Sequence, residues 1–127
     1  MVGFALDTNA AIAVMKFDQS IRRLLSKGDV FISMIALGEL YYGAYNSQRL
    51  AENMSDINRL IRNIEILPIN IATTQYYGQI RAQLKQIGRP IPVNDIWIEA
   101  CAMQFDLELV TRDGHFKHVS GLKTVTW

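Results

Sequence analysis

The chain has 127 residues, half of them hydrophobic and a fifth charged, which is the composition of one globular domain spanning residues 1–127. Its formal net charge of +1 gives no general attraction to a polyanion, so any such partner must be bound by local clusters of charge. A single cysteine, Cys101, excludes an intrachain disulfide and a cysteine-based zinc cluster and fits a reducing compartment.

The N-terminal apolar run does not have the features of a secretory signal. It lacks a positively charged start, and Asp7 and Asn9 interrupt it. No stretch of the chain approaches the roughly 18 consecutive apolar residues of a membrane span. We therefore expect a cytoplasmic protein with no membrane partner.

Short apolar runs alternate with amphipathic segments along the whole chain. The first run ends in Asp7-Thr8-Asn9, where Asn9 or Thr8 is suited to cap a helix, and Gly88 is suited to end the longest helix. In chain order we predict a strand at Val2–Leu6, helices ending at Met15 and spanning Ser20–Lys27, a strand at Val30–Ser33, helices at Met34–Tyr45 and Leu50–Ile64, a strand at Ile66–Ile69, helices at Ile71–Ile87 and from about Asn94 to Gln104, and strands at Leu107–Thr111 and Lys123–Thr126.

The alternation of strands and helices predicts a parallel sheet covered on both faces. Ligands of such sheets bind at the carboxyl ends of the strands. Asp7 and Asp113 each come at or just after the end of a predicted strand. Both are therefore expected at the ligand-binding edge of the sheet.

Four acidic residues lie beside or inside apolar segments, and each has a structural alternative to a functional role. Asp7 and Asp113 are suited to a turn or cap after a strand, and Asp95 is suited to a helix N-cap. Glu39, in an apolar helical segment, is either solvated, paired with an arginine, or buried against another partner. The four are more informative together, because two carboxylates about 4 Å apart repel by about 4 kcal/mol at an effective dielectric near 20.

A cation that neutralises these carboxylates would allow them to share one cleft. Oxygen ligands select a hard ion, Mg²⁺ or Mn²⁺. Glu99 lies one helical turn after Asp95 on the same face, where it either joins this group or forms a surface ion pair. The surface pair is the preferred interpretation.

Several short segments follow one another in a recognisable order and spacing. They are Leu6-Asp7-Thr8-Asn9, Ile32-Ser33 with Glu39-Leu40 and Gly43, Gly88-Arg89-Pro90-Ile91-Pro92 with Asn94-Asp95, Leu109-Val110-Thr111-Arg112-Asp113 with His115-Phe116, and Trp127. In this order the chain resembles the PIN-domain family, and within it the toxin ribonucleases of bacterial VapBC-type toxin–antitoxin pairs. The resemblance extends from one end of the chain to the other.

The resemblance implies an α/β fold, a three-layer α/β/α sandwich with a mostly parallel central sheet. It also implies that Thr111 and Asn9 support the active site. The catalytic, metal-binding carboxylates that it implies are Asp7, Glu39, Asp95 and Asp113.

The chain departs from the family pattern at two positions. Gly38 stands where alanine is usual, and Glu99 stands where a small residue is common. An additional acid changes the charge of the site, which leaves the complete ligand set open. Because each of the family's acids is present, we expect an active enzyme.

The implied reaction is metal-assisted hydrolysis of RNA phosphodiester bonds, leaving a 5′-phosphate and a 3′-hydroxyl. A divalent ion lowers the pKa of a bound water and neutralises charge on the phosphate. We expect Asp7 and Asp95 to bind Mg²⁺ or Mn²⁺ directly. Asp113 and Glu39 are expected to act partly through water, and one of them accepts the proton of the attacking water. The choice between one and two ions stays open.

RNA binding requires positive charge near the acids. Arg89 and Arg112 adjoin the segments that carry the acids, so they are the preferred phosphate contacts. His115 and His118 are candidates for metal ligands or a general base, with surface or structural roles as the preferred interpretation. Further candidates, each with an ordinary solvated or packing role as the alternative, are Arg22, Arg23, Lys27, Arg81, Lys85 and Lys117 for phosphates and Tyr41, Tyr42 and Tyr45 for base stacking.

The expected function is a toxin endoribonuclease that acts on RNA, structured tRNA among its candidates, and is inhibited by an antitoxin inserting a segment near the acids. A PIN-type nuclease of RNA processing and a non-catalytic RNA- or partner-binding module on the same fold are the alternatives. The resemblance also implies a homodimer. Apolar faces of the predicted helices Ser33–Tyr45 and Leu50–Ile64 are available for it.

Overall fold

The computed structural model describes residues 2–127, which form a five-stranded sheet and its covering helices. The strands are β1 (Val2–Leu6), β2 (Gly28–Ser33), β3 (Glu65–Leu67), β4 (Glu108–Val110) and β5 (Thr124–Val125). The helices are α1 (Thr8–Met15), α2 (Gln19–Leu25), α3 (Met34–Tyr45), α4 (Leu50–Ile61), α5 (Ile71–Gln86) and α6 (Val93–Gln104), and a 3-10 helix spans Gly114–His118.

The sheet is parallel, with its strands in the order β3-β2-β1-β4-β5. Crossovers between parallel strands are right-handed in nearly all proteins. This strand order therefore puts α1 to α4 on one face of the sheet and α5 and α6 on the other. The predicted three-layer α/β/α sandwich is confirmed.

The central strands are buried because helices cover both of their faces. Leu6, Ile32 and Leu109 are at most 1% exposed and belong to the main hydrophobic core. A smaller cluster around Leu84 and Ala100 joins α5 to α6. Continuous apolar runs thus become central strands, and α6 is fixed between α5 and the sheet.

Gly28 is the first residue of β2, and the preceding helix is shifted from the predicted Ser20–Lys27 to Gln19–Leu25. Gly28 pairs with Val2 on β1. A Cβ atom at this position would collide with the carbonyl oxygen of Val2. The glycine therefore belongs to the strand because it allows β1 and β2 to lie close together.

We expect Gly28→Ala to lower the free energy of unfolding by about 1–3 kcal/mol, because the two strands must move apart locally. Gly78→Ala in α5 is the matched control. Apart from its two chain neighbours and the nearby backbone of its own helix, no atom of residues 2–127 lies within 4 Å of a Cβ placed there. Alanine is more favourable than glycine in a helix by about 1 kcal/mol. Urea unfolding followed by circular dichroism measures both variants. Equal effects of the two substitutions would contradict the close approach at Gly28.

Two other predicted boundaries are wrong by a few residues. β3 ends at Leu67, not at Ile69, because Pro68 has no amide hydrogen to continue the ladder. α4 ends at Ile61, although the apolar repeat continues to Ile64. Ile64 still packs against the core, from the turn that follows the helix. An apolar repeat therefore indicates which residues pack against the core, and it does not by itself mark the end of a helix.

The longest helix, α5, ends within one residue of its predicted end. Gly88 has a positive φ of 69°, and the Arg89 N–H donates to the Leu84 carbonyl oxygen at 2.9 Å, the hydrogen-bond pattern of a glycine-terminated helix. The following proline-rich segment then leads into α6. Within residues 2–127 neither α5 nor another helix is long and apolar enough to cross a membrane.

Candidate active site

The site is built at the carboxyl ends of β1 and β4, neighbouring strands in the middle of the sheet. The chain leaves β1 toward β2 and comes back on the other side of β1 as β4, which makes this the switch point where ligands of parallel sheets bind. Leu6 pairs with Val110 in the strand register. The Asp7 N–H continues the pairing by donating to the Val110 carbonyl oxygen at 3.2 Å. Asp7 is thereby fixed beside the end of β4.

Asp7 is buried, at 6% exposure, and is the N-cap of α1. Its Oδ1 accepts a hydrogen bond from the Ala10 N–H at 2.7 Å. The prediction that Asn9 or Thr8 caps this helix is therefore wrong. Asn9 lies exposed on the first turn of α1.

The carboxylate of Asp7 is held in an environment that opposes its charge. Burial raises the pKa of Asp7, and hydrogen bonds from the Thr111 side chain and the Ala10 backbone lower it. The neighbouring carboxylates of Asp113 and Glu39 raise the pKa further. The net direction is upward, so the folded chain without a cation disfavours the ionised form.

Glu39 is half-buried near the middle of α3. Ser33 caps this helix by accepting from the Ala36 N–H at 3.1 Å. The Thr8 hydroxyl donates to Glu39 Oε1 at 2.8 Å. Glu39 is thus oriented by a residue next to Asp7, and neither full solvation nor an arginine accounts for it.

Asp95 lies in the first turn of α6, half-buried. The N-cap of this helix is Pro92, so the alternative in which Asp95 caps it is wrong. Burial raises the pKa of Asp95, and the carboxylates of Glu39 and Asp113 raise it further, while His115 lowers it. These charges lie on α3 and in the segment after β4, so Asp95 on α6 belongs to the same site as both.

Asp113 has a structural role and a position in the site at the same time. Its Oδ1 accepts from the His115 N–H at 3.1 Å and caps the 3-10 helix. Its Oδ2 lies 3.0 Å from His115 Nε2. Ligand atoms of Asp95, Asp113 and His115 lie within 4.8 Å of one another. A turn role alone therefore does not describe Asp113.

Carboxylates that converge in this way repel one another unless a positive charge lies between them. The upward pKa shifts of Asp7 and Asp95 are the signature of that repulsion and of burial. An arrangement of oxygen donors with an uncompensated negative charge fits a divalent cation.

Glu99 is buried, at 0% exposure, so the preferred interpretation of a surface ion pair is wrong. Burial raises the pKa of Glu99 to about 8, and the carboxylates of Asp95 and Asp113 contribute to the shift. A one-turn step along α6 connects Glu99 to Asp95. Glu99 therefore adds a carboxyl group in the protein interior, one helical turn from Asp95.

The two preferred arginines differ in their surroundings. Arg112 is engaged with the C-terminus, because its Nε donates to the Trp127 carbonyl oxygen at 2.9 Å and its guanidinium lies 4.3 Å from the centre of the Trp127 ring. Arg89 is exposed and lines a pocket of about 210 Å³ with His115 and His118. The pocket adjoins the site through the contact of His115 with Asp113.

Two residues of the site were not singled out from the sequence. Thr8 was considered only as a cap, although its position directly after Asp7 is the signal that could have identified it. His115 was expected at the surface, and it is exposed. Its separation of two residues from Asp113 nevertheless lets a cap turn bring its ring back onto the carboxylate.

Comparisons with known proteins agree over nearly the whole chain. The PIN domain family model matches residues 4–122. The tRNA(fMet)-specific endonuclease VapC of Shigella flexneri is 37% identical over 100% of this chain and 99% of its own length. Ribonuclease VapC2 of Rickettsia felis is 32% identical over 98% of this chain and 97% of its own length.

Solved structures of VapBC proteins are also similar to this chain over nearly its whole length. DNA-bound VapBC from Salmonella typhimurium has a TM-score of 0.93 and 31% identity, covering 100% of this chain and 99% of its own. VapBC2 from Rickettsia felis bound to promoter DNA has a TM-score of 0.92 and 31% identity, covering 99% of each chain. The chain therefore belongs to the PIN-domain family and, within it, to the VapC ribonucleases.

Proposed function

We propose that this chain is a metal-dependent endoribonuclease, the toxin of a VapBC-type toxin–antitoxin pair. Its membership of the VapC ribonucleases supports RNA cleavage. The metal dependence is supported by the ligand atoms of Asp95, Asp113 and His115, which lie within 4.8 Å of one another. The carboxylates of Asp7 and Glu39 act on Asp95 from the end of β1 and from α3.

The oxygen donors fit Mg²⁺ or Mn²⁺ better than a soft metal. Asp7 and Asp95 would hold such an ion directly, and Asp113 and Glu39 would act partly through water. When bound, such an ion supplies positive charge that polarises the phosphate and makes a water molecule more acidic.

The side chains orient the reacting groups. The Ala10 N–H on α1 and the Thr111 side chain orient the carboxylate of Asp7, and the Thr8 hydroxyl orients Glu39. A carboxylate oxygen of Glu39 or Asp113 accepts the proton of the attacking water. The water oxygen bonds to phosphorus, the bond from phosphorus to the 3′ oxygen breaks, and the departing 3′ oxygen takes a proton from solvent, which leaves a 5′-phosphate and a 3′-hydroxyl.

The test is cleavage of a panel of structured RNAs, tRNA(fMet) among them, by the purified protein. We expect cleavage with Mg²⁺, none with EDTA, and none by Asp7→Asn with Mg²⁺. Asparagine is also a favourable N-cap, so this variant should keep α1. Cleavage that persists both in EDTA and in Asp7→Asn would overturn the proposal.

We infer that the pocket at Arg89 holds a phosphate next to the one that is cleaved. The pocket holds the guanidinium of Arg89 and the imidazoles of His115 and His118, which can donate hydrogen bonds to phosphate oxygens. A phosphate bound there would position RNA without reading its sequence. The residues that line the pocket are Arg89, Pro90, Ile91, Pro92, His115 and His118.

Arg89→Ala is expected to weaken RNA binding by about 3- to 10-fold. It should also make the slope of log affinity against log salt concentration shallower by about 1, because one fewer counterion is released on binding. Fluorescence anisotropy in an Asp7→Asn background measures this without cleavage. Lys27→Ala is the matched control, because Lys27 is exposed and directly precedes β2, at the opposite edge of the sheet. An equal loss in the two variants would contradict a phosphate site at Arg89.

The proposed partner is a cognate antitoxin, as in the VapBC complexes among the relatives of known structure. A groove of about 250 Å³ between α1, α3 and α4 opens beside Glu39 and is suited to an apolar antitoxin segment. A segment seated there would lie against the site and block the substrate. The groove is lined by Thr8, Ile12, Met15, Lys16, Glu39, Leu40, Gly43, Ala44, Asn53, Asp56 and Ile57.

We also propose that the chain forms a homodimer through α3 and the start of α4. Met34, Tyr42, Tyr45 and Leu50 are exposed there, Tyr42 at 71%. Exposed apolar side chains gathered on one surface are typical of protein interfaces. Light scattering at micromolar concentration is expected to give twice the 14.4 kDa mass of the chain. The mass of a single chain would contradict the dimer.

A further inference from the structure

Glu99 carries two carboxylate oxygens that have no hydrogen-bond partner within residues 2–127. The side chain is 0% exposed, so bulk water does not compensate for the missing partners. A buried carboxyl group without hydrogen bonds costs several kcal/mol. Its persistence in the fold indicates that a partner comes from outside the chain.

The other buried polar residues make the contrast clear. Each accepts or donates a hydrogen bond within the chain: Asp7 with Ala10, Ser33 with Ala36, Thr73 with Asn70, and Thr111 with Asp113. In residues 2–127 the one further buried side-chain atom without a partner is Trp127 Nε1, a neutral donor. Glu99 is thus the exception among the buried acids and hydroxyls.

The surroundings of Glu99 identify the kind of partner. The charged groups that act on it are the carboxylates of Asp95 and Asp113. An anion would be repelled by this environment, and a cation would be attracted to all three carboxylates. Asp95 and Asp113 contribute ligand atoms to one compact group with His115, and Glu99 lies one helical turn after Asp95 on α6.

We propose that Glu99 is a fifth carboxylate of the metal site and supplies oxygen to a divalent cation held by Asp95 and Asp113. The inference rests on the proposed function, since it requires that the site binds a cation. Glu99 is a buried residue of α6, the helix that carries Asp95. The family pattern, in which a small residue is common at this position, does not include this donor.

An additional carboxylate adds negative charge and a donor, so it strengthens the binding of a hard cation. Glu99→Gln keeps the size of the side chain and removes its charge. We expect this variant to bind Mn²⁺ about 10- to 100-fold more weakly, the range typical for the loss of a group that supports a metal site.

The experiment is isothermal titration of EDTA-stripped protein with Mn²⁺, using the wild type, Glu99→Gln, Asp95→Asn and Asp29→Asn. Asp29 is exposed near the start of β2, away from the site, and serves as the charge-matched control. The rise in melting temperature caused by Mn²⁺ gives a second measure of the same affinity, and it also reports whether each variant is folded.

Weaker binding by Glu99→Gln, with Asp29→Asn unchanged, is the expected result. Wild-type affinity in Glu99→Gln together with a loss in Asp95→Asn would overturn the inference and leave the proposed function standing. No binding of Mn²⁺ by the wild type at millimolar concentration would overturn both. The three outcomes are distinct, and none of them depends on RNA cleavage.

Discussion

Replacing Asp95 with asparagine is expected to lower the rate of RNA cleavage by about 100- to 1,000-fold and to raise the thermal stability of the metal-free protein. The carboxamide has nearly the shape of the carboxylate but lacks its charge, so it is a poorer ligand for a cation. Burial and the carboxylates of Glu39 and Asp113 raise the pKa of Asp95, which means that its charge is unfavourable in the folded chain. Removing the charge relieves that cost.

The opposite signs of the two effects separate a functional role from a structural one. Cleavage of RNA in Mg²⁺ and thermal unfolding in EDTA are measured on the same preparation. Asp29→Asn removes an exposed charge at the other edge of the sheet and should change neither quantity appreciably. A loss of cleavage by Asp95→Asn that comes with a loss of stability would contradict the account, because it would be explained by unfolding.

The metal-free protein is expected to be more stable at about pH 5 than at about pH 8.5, by about 2–4 kcal/mol. Burial and the carboxylates of Asp95 and Asp113 raise the pKa of Glu99 from 4.5 to about 8. Between these values the folded chain keeps a proton that the unfolded chain has lost, so rising pH favours unfolding. The contribution is complete below the unfolded pKa and is lost as the pH rises through the folded one. Burial also raises the pKa of Asp7 and of Asp95, so both carboxyl groups act in the same direction.

Urea unfolding in EDTA at several pH values measures this dependence. Glu99→Gln should flatten it, because glutamine does not titrate, and should leave the stability nearly constant from about pH 6 to about pH 8.5. Glu65→Gln, at an exposed position of β3, is the control and should keep the wild-type slope. A slope that survives in Glu99→Gln would assign the dependence to other groups.

Much of the fold could be predicted from the sequence because apolar runs and capping residues act locally. The continuous run Val2–Leu6 indicated a central strand, and Ser33 and Gly88 marked helix ends through hydrogen bonds that involve only nearby residues. The predicted strand Val30–Ser33 does not include Gly28, because the role of this glycine depends on β1, a strand that is distant in the sequence. Contacts between distant segments do not leave a local pattern.

The same distinction applies to the site. The acids after β1 and β4 could be expected at one edge because parallel strands bring their carboxyl ends together. Glu99 could not be assigned, because helical spacing gives its face on α6 but not the depth at which the helix packs against α5 and the sheet. The contact between Thr8 and Glu39 joins residues 31 positions apart and likewise depends on the packing of α1 against α3.

The most direct test of the central claim is anomalous scattering from a crystal of the protein grown with Mn²⁺. A divalent ion held by the converging carboxylates predicts an anomalous peak among Asp7, Glu39, Asp95 and Asp113, and loss of that peak in Asp95→Asn. A crystal saturated with Mn²⁺ that has no peak among these residues, from protein that still cleaves RNA, would contradict the claim.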